Sequence, residues 1–188
     1  DVLQYAEKQA AQLFGPAGAP EGMVSVHIRW GDKWKEAEPF SAANYVGLVK
    51  ELATTDSKVA DGQQAVYITT EDPAALAAFR AVAPTHWKIY CYMPALGKGT
   101  AGGAENASTR HLLRSRHSPI RDASDSQGMA ALHSIVALML ALESKLFGLT
   151  WSSNWSRLID ELRRAFIDPA CGNCTRVRCS DGSELCAR

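Results

Sequence analysis

Two patterns of apolar and polar residues take turns along this chain. In some segments the apolar residues recur at helical spacing, and in others apolar and polar residues alternate as in a strand. Residues 2–14 carry apolar side chains at helical spacing and end at a Gly-Pro pair, which is a helix stop signal. At residues 24–29 apolar and polar side chains alternate, which predicts a short strand that ends in a polar turn. Ser41 is then placed to cap a second helix over residues 42–53, with Tyr45 on its inner side.

The same order of strand and helix continues along the rest of the chain. Further strands are predicted at residues 65–70, 86–92 and 146–150, and further helices at residues 73–83, 128–143 and 156–166. The helix at residues 128–143 is expected to be buried on most sides. The intervening residues 54–64 have the composition of a surface loop, and residues 93–122 have that of an irregular segment. Strands that alternate with helices favour a parallel sheet, because right-handed crossovers bring successive parallel strands together. The predicted fold class is therefore α/β, a Rossmann-like parallel sheet with helices on both faces.

Composition and charge exclude several other classes of protein. At 188 residues, with 46% hydrophobic and 21% charged residues, the chain can form one globular core. Its 20 basic and 20 acidic residues cancel, so no overall field attracts nucleic acid, and any anion site must be local. The longest apolar run, residues 135–142, is too short to cross a bilayer. The chain has no initiator methionine or signal-like start, which suggests excision from a longer precursor.

Two turns that follow strands have the residue types of a phosphate site. Ligands of open α/β sheets bind beyond the carboxyl ends of the strands, where the sequence places Arg29, Asp32 and Lys33. The planar guanidinium group of arginine matches phosphate oxygens, and Asp32 can orient Arg29 or Lys33; the alternative is a surface turn that carries a salt bridge. Ser152 and Ser153 precede a helix whose first N–H groups favour an anion, although a serine pair there can also be a simple cap.

Cysteines set the end of the chain apart, so we divide it into a Rossmann-like domain over residues 1–168 and a cysteine-rich tail over residues 169–188. The tail contains Cys171, Cys174, Cys179 and Cys186. A Cys-x-x-Cys pair can begin a zinc site, but the later spacings fit no standard zinc finger. Disulfide bonds are the favoured interpretation. Cys91, on the third predicted strand, is left as a buried free thiol, with a partner in an absent segment as the alternative.

Asn106, Asn154 and Asn173 lie in glycosylation sequons. Asn154 falls in the second phosphate turn, where a glycan would obstruct a ligand, so Asn106 and Asn173 are the predicted glycosylation sites. Sequons and disulfides together indicate the secretory pathway, with an extracellular location as one alternative.

Three blocks of sequence together resemble one family of enzymes. Residues 27–33 (HIRWGDK), followed by Phe40 and Tyr45, resemble the donor-binding motif of the α-1,6-fucosyltransferases that core-fucosylate N-glycans, and of the related bacterial Nod-factor fucosyltransferases. Residues 67–73 (YITTEDP) look like the family's strand that ends in Thr-Asp-Asp-Pro. Residues 150–153 (TWSS) look like its Thr-Phe-Ser-Ser segment.

The resemblance implies a GDP-fucose site in the C-terminal, Rossmann-like half of a two-domain GT-B glycosyltransferase of the Golgi lumen that needs no metal or other cofactor. Arg29 would neutralise the β-phosphate as GDP leaves, and a carboxylate would deprotonate the hydroxyl of a glycan or glycoprotein acceptor. The catalytic residues would be Arg29, Lys33 and Glu38. The nucleotide-sugar-binding residues would be His27, Arg29, Asp32, Tyr45, Glu71, Asp72, Trp151, Ser152, Ser153 and Arg157.

The chain also departs from the family's pattern. Trp30 stands at the family's second arginine, and Ala37 stands at its presumed catalytic glutamate, between Glu36 and Glu38. Glu38 is the preferred base, because Glu36 lies nearer to two lysines and is suited to a surface ion pair. The family's aspartate near guanine falls on Ala137, so another nucleotide sugar remains an alternative donor.

Two classes of function therefore compete. The first is the catalytic half of a fucosyltransferase, and the second is an inactive glycosyltransferase-like module that binds ligands or supports a larger secreted or lumenal protein. The N-terminal half that forms the acceptor side in the family is expected to be missing from these residues.

Overall fold

The computed structural model of the protein describes residues 1–30, 39–55, 63–93, 126 and 128–180. The helices are α1 (Val2–Phe14), α2 (Ala42–Thr55), α3 (Pro73–Val82), α4 (Met129–Leu142), α5 (Asn154–Leu162) and α6 (Asp168–Cys171), with a π-helical turn (Arg163–Ile167) between the last two. The strands are β1 (Val24–His27), β2 (Ala65–Thr69), β3 (Lys88–Cys91), β4 (Leu146–Leu149) and β5 (Arg176–Cys179). None of the helices formed by these residues is long and apolar enough to span a bilayer.

The five strands form one parallel sheet in the order β3-β2-β1-β4-β5. This order confirms the predicted α/β, Rossmann-like class. The chain builds the sheet outward from β1 to β3 in one direction and from β4 to β5 in the other. The direction reverses between β1 and β4, and a crevice beyond the carboxyl ends of such strands is where open α/β sheets bind ligands. We call this side of the sheet the carboxyl edge.

Helices cover both faces of the sheet. On one face α2 and α3 pack against β1 and β2 through a core that includes Tyr45, Val49 and Phe79. On the other face α1, α4 and α5 pack through a core that includes Phe147 and Ile159. All strands but the two at the edges of the sheet are therefore covered on both sides.

Strand β1 is buried on both faces. Although apolar and polar side chains alternate along it, Ser25 and His27 are buried, as are Val24 and Val26. Central strands of parallel sheets lie between two layers of helices, so a polar position in such a strand needs a buried partner rather than solvent. The polar face of β1 therefore lies inside the domain.

Helix boundaries follow the sequence closely. Helix α1 spans the predicted residues, and α3 begins at Pro73 with Asp72 as its cap, whose carboxylate accepts a hydrogen bond of 2.8 Å from the Ala74 N–H. Helix α5 starts at Asn154, two positions before the predicted start. Ser153 has extended backbone angles, which fixes it as the residue that precedes the helix.

Two smaller expectations are wrong. Gln64, assigned to a surface loop, is buried, and its amide donates to the carbonyl oxygens of Gly22 and Ala65. Helix α4 was expected to be buried on most sides, but Met129 and Ile135 are exposed. The uniformly apolar sequence of α4 does not reveal which side faces solvent.

Part of the cysteine-rich tail belongs to the sheet. Residues 169–188 were set apart from the domain, whereas β5 pairs in parallel with β4 and buries Val177 in the core. A disulfide joins Cys171 to Cys174, and Cys179 is also disulfide-bonded. Cys186 lies outside the described residues. The predicted disulfide chemistry is thus confirmed for three of the four tail cysteines.

The remaining predictions on cysteine and asparagine have separate outcomes. Cys91 is a free thiol, as predicted, but it is half-buried rather than fully buried; this partial burial raises its pKa to about 11. Asn173 is exposed and has a left-handed backbone (φ 60°), so its side chain is accessible. Asn106 lies outside the described residues. Glycosylation itself stays a prediction at both asparagines.

A buried ionic cluster attaches the tail to the domain. Arg163, in the π-helical turn, contacts the carboxylates of Asp160 (2.6 Å) and Asp168 (2.9 Å) and donates to the hydroxyl of Thr175 (2.7 Å). Both oxygens of Asp168 are used, because Thr175 donates to the second one through its N–H and its hydroxyl. The cluster joins α5 and α6 to the residue that precedes β5.

This cluster predicts a loss of stability in acid. Burial acts to raise the pKa of Asp168, but hydrogen bonds from Thr175 and the charges of Arg163 and Arg164 outweigh it and hold the pKa below 3.8. A lowered carboxyl pKa stabilises the folded state above the unfolded pKa, and this contribution is lost as pH falls below about 4. Denaturant unfolding should therefore show a steeper acid decline for the wild type than for Asp168→Asn. Equal declines would mean that Asp168 is not responsible.

Candidate functional site

The candidate site lies at the carboxyl edge, where β1 and β4 stop pairing. The β1–β4 register ends at Val26 and Gly148, whereas β1 remains paired with β2 as far as His27 and Thr69. The Ile28 N–H continues that pairing by donating to the Thr69 carbonyl at 3.0 Å. The turn after β1 therefore stays with β2, and the end of the β1–β4 ladder marks the crevice expected at the reversal of strand order.

Arg29 is the cation of the turn after β1. Its Nη1 lies 3.2 Å from Oε2 of Glu71, and the two side chains are 22% and 70% exposed. An ion pair with so exposed a partner contributes at most about 1 kcal/mol, because water screens it. A phosphate can replace this carboxylate at little cost in free energy. The Arg29–Glu71 pair is therefore compatible with phosphate binding at the carboxyl edge.

The two predicted acidic residues after β2 have different surroundings. Glu71 reaches Arg29, whereas the carboxylate of Asp72 accepts the capping bond from Ala74. A carboxylate near a bound nucleotide sugar is suited to accept hydrogen bonds from sugar hydroxyls, and Glu71 is the more exposed of the two residues. The structure thus places Glu71 at the candidate site and gives Asp72 a structural role at the start of α3.

Trp30, which the motif resemblance aligns with an arginine of the fucosyltransferases, makes a structural contact here. Its indole Nε1–H donates to the carbonyl of Phe40 at 2.8 Å, and both residues pack against the α2/α3 core. This bond joins the two ends that flank residues 31–38. Asp32, Lys33 and Glu38 lie within that range, outside the described residues. Trp30 has no cationic group, so it cannot attract a phosphate by charge.

The second turn connects β4 to α5. The Ser153 N–H donates to the Thr150 carbonyl at 2.9 Å, which closes a tight turn with Trp151 half-buried and Ser152 exposed. Ser153 is only 4% exposed, yet its side chain makes no capping bond to α5. Ser153 therefore has the backbone conformation of a helix cap, but its hydroxyl does not make the hydrogen bond of one.

The start of α5 has the polarity of an anion site. No acidic residue lies in its first turn, and the helix dipole places partial positive charge there. Arg157 adds a full charge; it is exposed, and its guanidinium group donates to the side-chain oxygen of Asn154. Arg29 and Ser153 follow adjacent strands, and neighbouring strands are about 4.8 Å apart. The two turns therefore lie at the same edge of the sheet, beyond neighbouring strands.

His27 and Tyr45 lie beneath this edge. His27 is 5% exposed, and its Nδ1 lies 2.7 Å from the hydroxyl of Ser156. Burial, together with the charge of Arg29, lowers the pKa of His27 from 6.5 to about 3. The ring is therefore neutral at physiological pH and cannot attract phosphate by charge. Tyr45 is fully buried, and its hydroxyl lies 2.8 Å from Oγ1 of Thr150.

Sequence reasoning missed the partners of these two residues. Ser156 is far from His27 along the chain, so no local pattern connects them. Thr150 appears in the block TWSS, but nothing in that block indicates contact with Tyr45. A cavity of about 470 Å³, lined by Met23, Ser144 and neighbouring residues, lies at the opposite edge of the sheet and takes no part in this arrangement.

Comparison with known protein families found no match, and neither did comparison with curated proteins. The geometry of the carboxyl edge is therefore the basis on which a function can be argued. At this edge the Arg29–Glu71 ion pair follows β1 and β2, and Ser153, whose side chain makes no capping bond, precedes α5 after β4.

Proposed function

We propose that this chain is the donor-binding and catalytic half of an inverting glycosyltransferase that transfers fucose from GDP-fucose to a glycan or glycoprotein. One observation carries the proposal. The three blocks that resemble the fucosyltransferase motifs are far apart in sequence, yet they end three adjacent strands, β2, β1 and β4. Unrelated matches would have no reason to meet at one edge of a sheet, and this edge is the one at which α/β sheets bind nucleotides.

Each turn has a role in this proposal. Arg29 binds the diphosphate and stabilises the negative charge that develops on it as GDP leaves, which is electrostatic catalysis by a preorganised group. Ser153 and the first N–H groups of α5 hold the same diphosphate from the other side. Glu71 accepts hydrogen bonds from hydroxyl groups of the donor.

The acceptor side of the reaction depends on a carboxylate. In this proposal Glu38 removes the proton from the attacking hydroxyl, and Asp32 and Lys33, which follow Arg29 in the sequence, supply further charge for binding the donor. Water exclusion and acceptor binding would require further protein beyond these residues. The disulfides and exposed Asn173 are compatible with a lumenal enzyme of the Golgi, and we propose that location.

A non-catalytic binding module is the second candidate, and two residues favour it. Trp30 replaces a cationic position and is used in a bond to Phe40. Ala137, in the middle of α4, replaces the family's acidic residue near guanine, and its carbonyl accepts a hydrogen bond from the Tyr67 hydroxyl. A domain with these changes can keep a diphosphate site without the chemistry.

A transfer assay separates the two candidates. A protein that contains residues 1–188 together with the acceptor-side segment that the proposal requires is incubated with GDP-fucose labelled in the sugar and with an N-glycan acceptor, and both released GDP and labelled glycan are measured. Labelled glycan supports the transferase. Donor binding without GDP release or labelled glycan supports the binding module.

A further inference from the structure

The ends of β1 and β4 are connected by side chains where their backbone ladder stops. Beyond Val26 and Gly148 no further pair continues the β1–β4 register within the described residues. From there the Thr150 hydroxyl donates to the carbonyl of His27 at 3.2 Å. The hydrogen bonds that hold the two strand ends together are thus made by buried polar side chains.

The hydroxyl of Thr150 is fully used by its neighbours. A threonine hydroxyl has one proton to donate and two lone pairs that accept. Its proton goes to the His27 carbonyl, and the lone pairs accept from Tyr45 (2.8 Å) and Ser180 (3.3 Å). This assignment makes the Tyr45 hydroxyl the donor. Thr150 therefore has no capacity left for a ligand.

Ser156 closes the connection from the helix side. Its oxygen accepts from the Thr150 backbone N–H at 3.0 Å and lies 2.7 Å from Nδ1 of His27. Ser156 is completely buried, as is Tyr45. Thr150 is thus connected to His27 in two ways. Its backbone N–H reaches the His27 ring through Ser156, and its hydroxyl bonds directly to the His27 carbonyl.

We infer that this buried chain of hydrogen bonds, formed by Tyr45, Thr150, His27 and Ser156, is a positioning device that holds the Arg29 turn and the Ser152–Ser153 turn at a fixed separation. Arg29 is two residues beyond His27, and Ser152 is two residues beyond Thr150. His27 and Tyr45, which the motif resemblance assigns to the nucleotide, act beneath the site as positioning residues. The inference rests on the proposed diphosphate site and adds the residues that set the separation between its two turns.

Two matched pairs of variants test it. His27→Asn keeps a polar atom near Nδ1, whereas His27→Gln moves it toward Nε2. Thr150→Ser keeps the hydroxyl, whereas Thr150→Val removes it at similar volume. Thermal unfolding first establishes a temperature at which each variant is folded.

The first measurement needs no ligand. Amide hydrogen exchange should be at least tenfold faster at Thr150 and Ser153 in the Gln and Val variants and near wild type in the Asn and Ser variants, since opening of the turns exposes these groups. The amides of α3 serve as the control, because a general loss of stability would speed their exchange as well. Unchanged exchange in both turns, or equal acceleration in α3, would overturn the positioning role.

The second measurement is the affinity for GDP. The Gln and Val variants should bind about tenfold more weakly, the scale of a hydrogen bond lost without replacement, and the Asn and Ser variants should recover most of the affinity. Preserved affinity in His27→Gln with loss in His27→Asn would mean that Nε2 contacts the ligand, which would overturn the inference. If the wild type binds no nucleoside diphosphate, the proposed function fails, while hydrogen exchange still decides whether the chain holds the two turns.

Discussion

Arg29→Ala is expected to lower the affinity for GDP at least tenfold while leaving the thermal unfolding midpoint close to that of the wild type. Each hydrogen bond between a charged donor and phosphate contributes roughly 1.5–3 kcal/mol, and a guanidinium group can make two. Stability should change little, because the pair lost on substitution has an exposed partner, Glu71. Isothermal titration calorimetry measures the first quantity and thermal denaturation the second.

Two control variants sharpen this prediction. Arg80→Ala removes the same charge from the exposed last turn of α3, which is not one of the turns of the candidate site, and should leave the affinity unchanged. Arg29→Lys keeps the charge but loses the planar pair of donors, and should fall between wild type and alanine. The phosphate assignment would be wrong if Arg29→Ala bound GDP as tightly as Arg80→Ala does.

Glu38→Gln is expected to lower the rate of sugar transfer by about 100- to 10,000-fold, the range typical of general-base loss, with little change in donor affinity. The amide cannot take the proton of the acceptor hydroxyl, but it keeps the shape of the side chain. The measurement compares the turnover number with calorimetric affinity for GDP-fucose. Arg29→Ala should differ from Glu38→Gln, because loss of Arg29 weakens donor binding as well as transfer.

Glu36→Gln is the matched control, since it changes the same charge two positions away. It should keep near-normal turnover if Glu36 forms only a surface ion pair. Normal turnover in Glu38→Gln, in Glu36→Gln and in the double variant would place the base elsewhere. Glu71 would then be the next residue to test, because it is exposed at the same edge.

The order and class of the elements could be predicted because local signals mark them. The cap at Asp72 and the proline that follows define α3, and the apolar periodicity of residues 2–14 defines α1. Strand β5 was missed, since four residues with alternating exposure, Arg176–Cys179, are too few to separate from the cysteine pattern around them. Pairing with β4 determines this strand, and such pairing depends on residues distant in sequence.

The candidate site could be predicted in part for the same reason. Arg29 and Ser153 were found because they follow strands, and the fold brings strands β1 and β4 together. The burial of His27 could not be seen from its neighbours in sequence, because it depends on α5 and on Ser156. A polar residue in a central strand can serve a ligand or a buried partner, and only the tertiary contacts distinguish these roles.

The measurement that tests the central claim most directly is a calorimetric titration of the 188-residue chain with GDP, GDP-fucose and UDP. The account predicts that GDP and GDP-fucose bind at one site and that UDP binds at least tenfold more weakly, a difference of about 1.4 kcal/mol. Tighter binding of UDP would retain a nucleotide-sugar site and remove fucose as the transferred sugar. The absence of binding by all three nucleotides would contradict the claim that the carboxyl edge of this sheet is a diphosphate site.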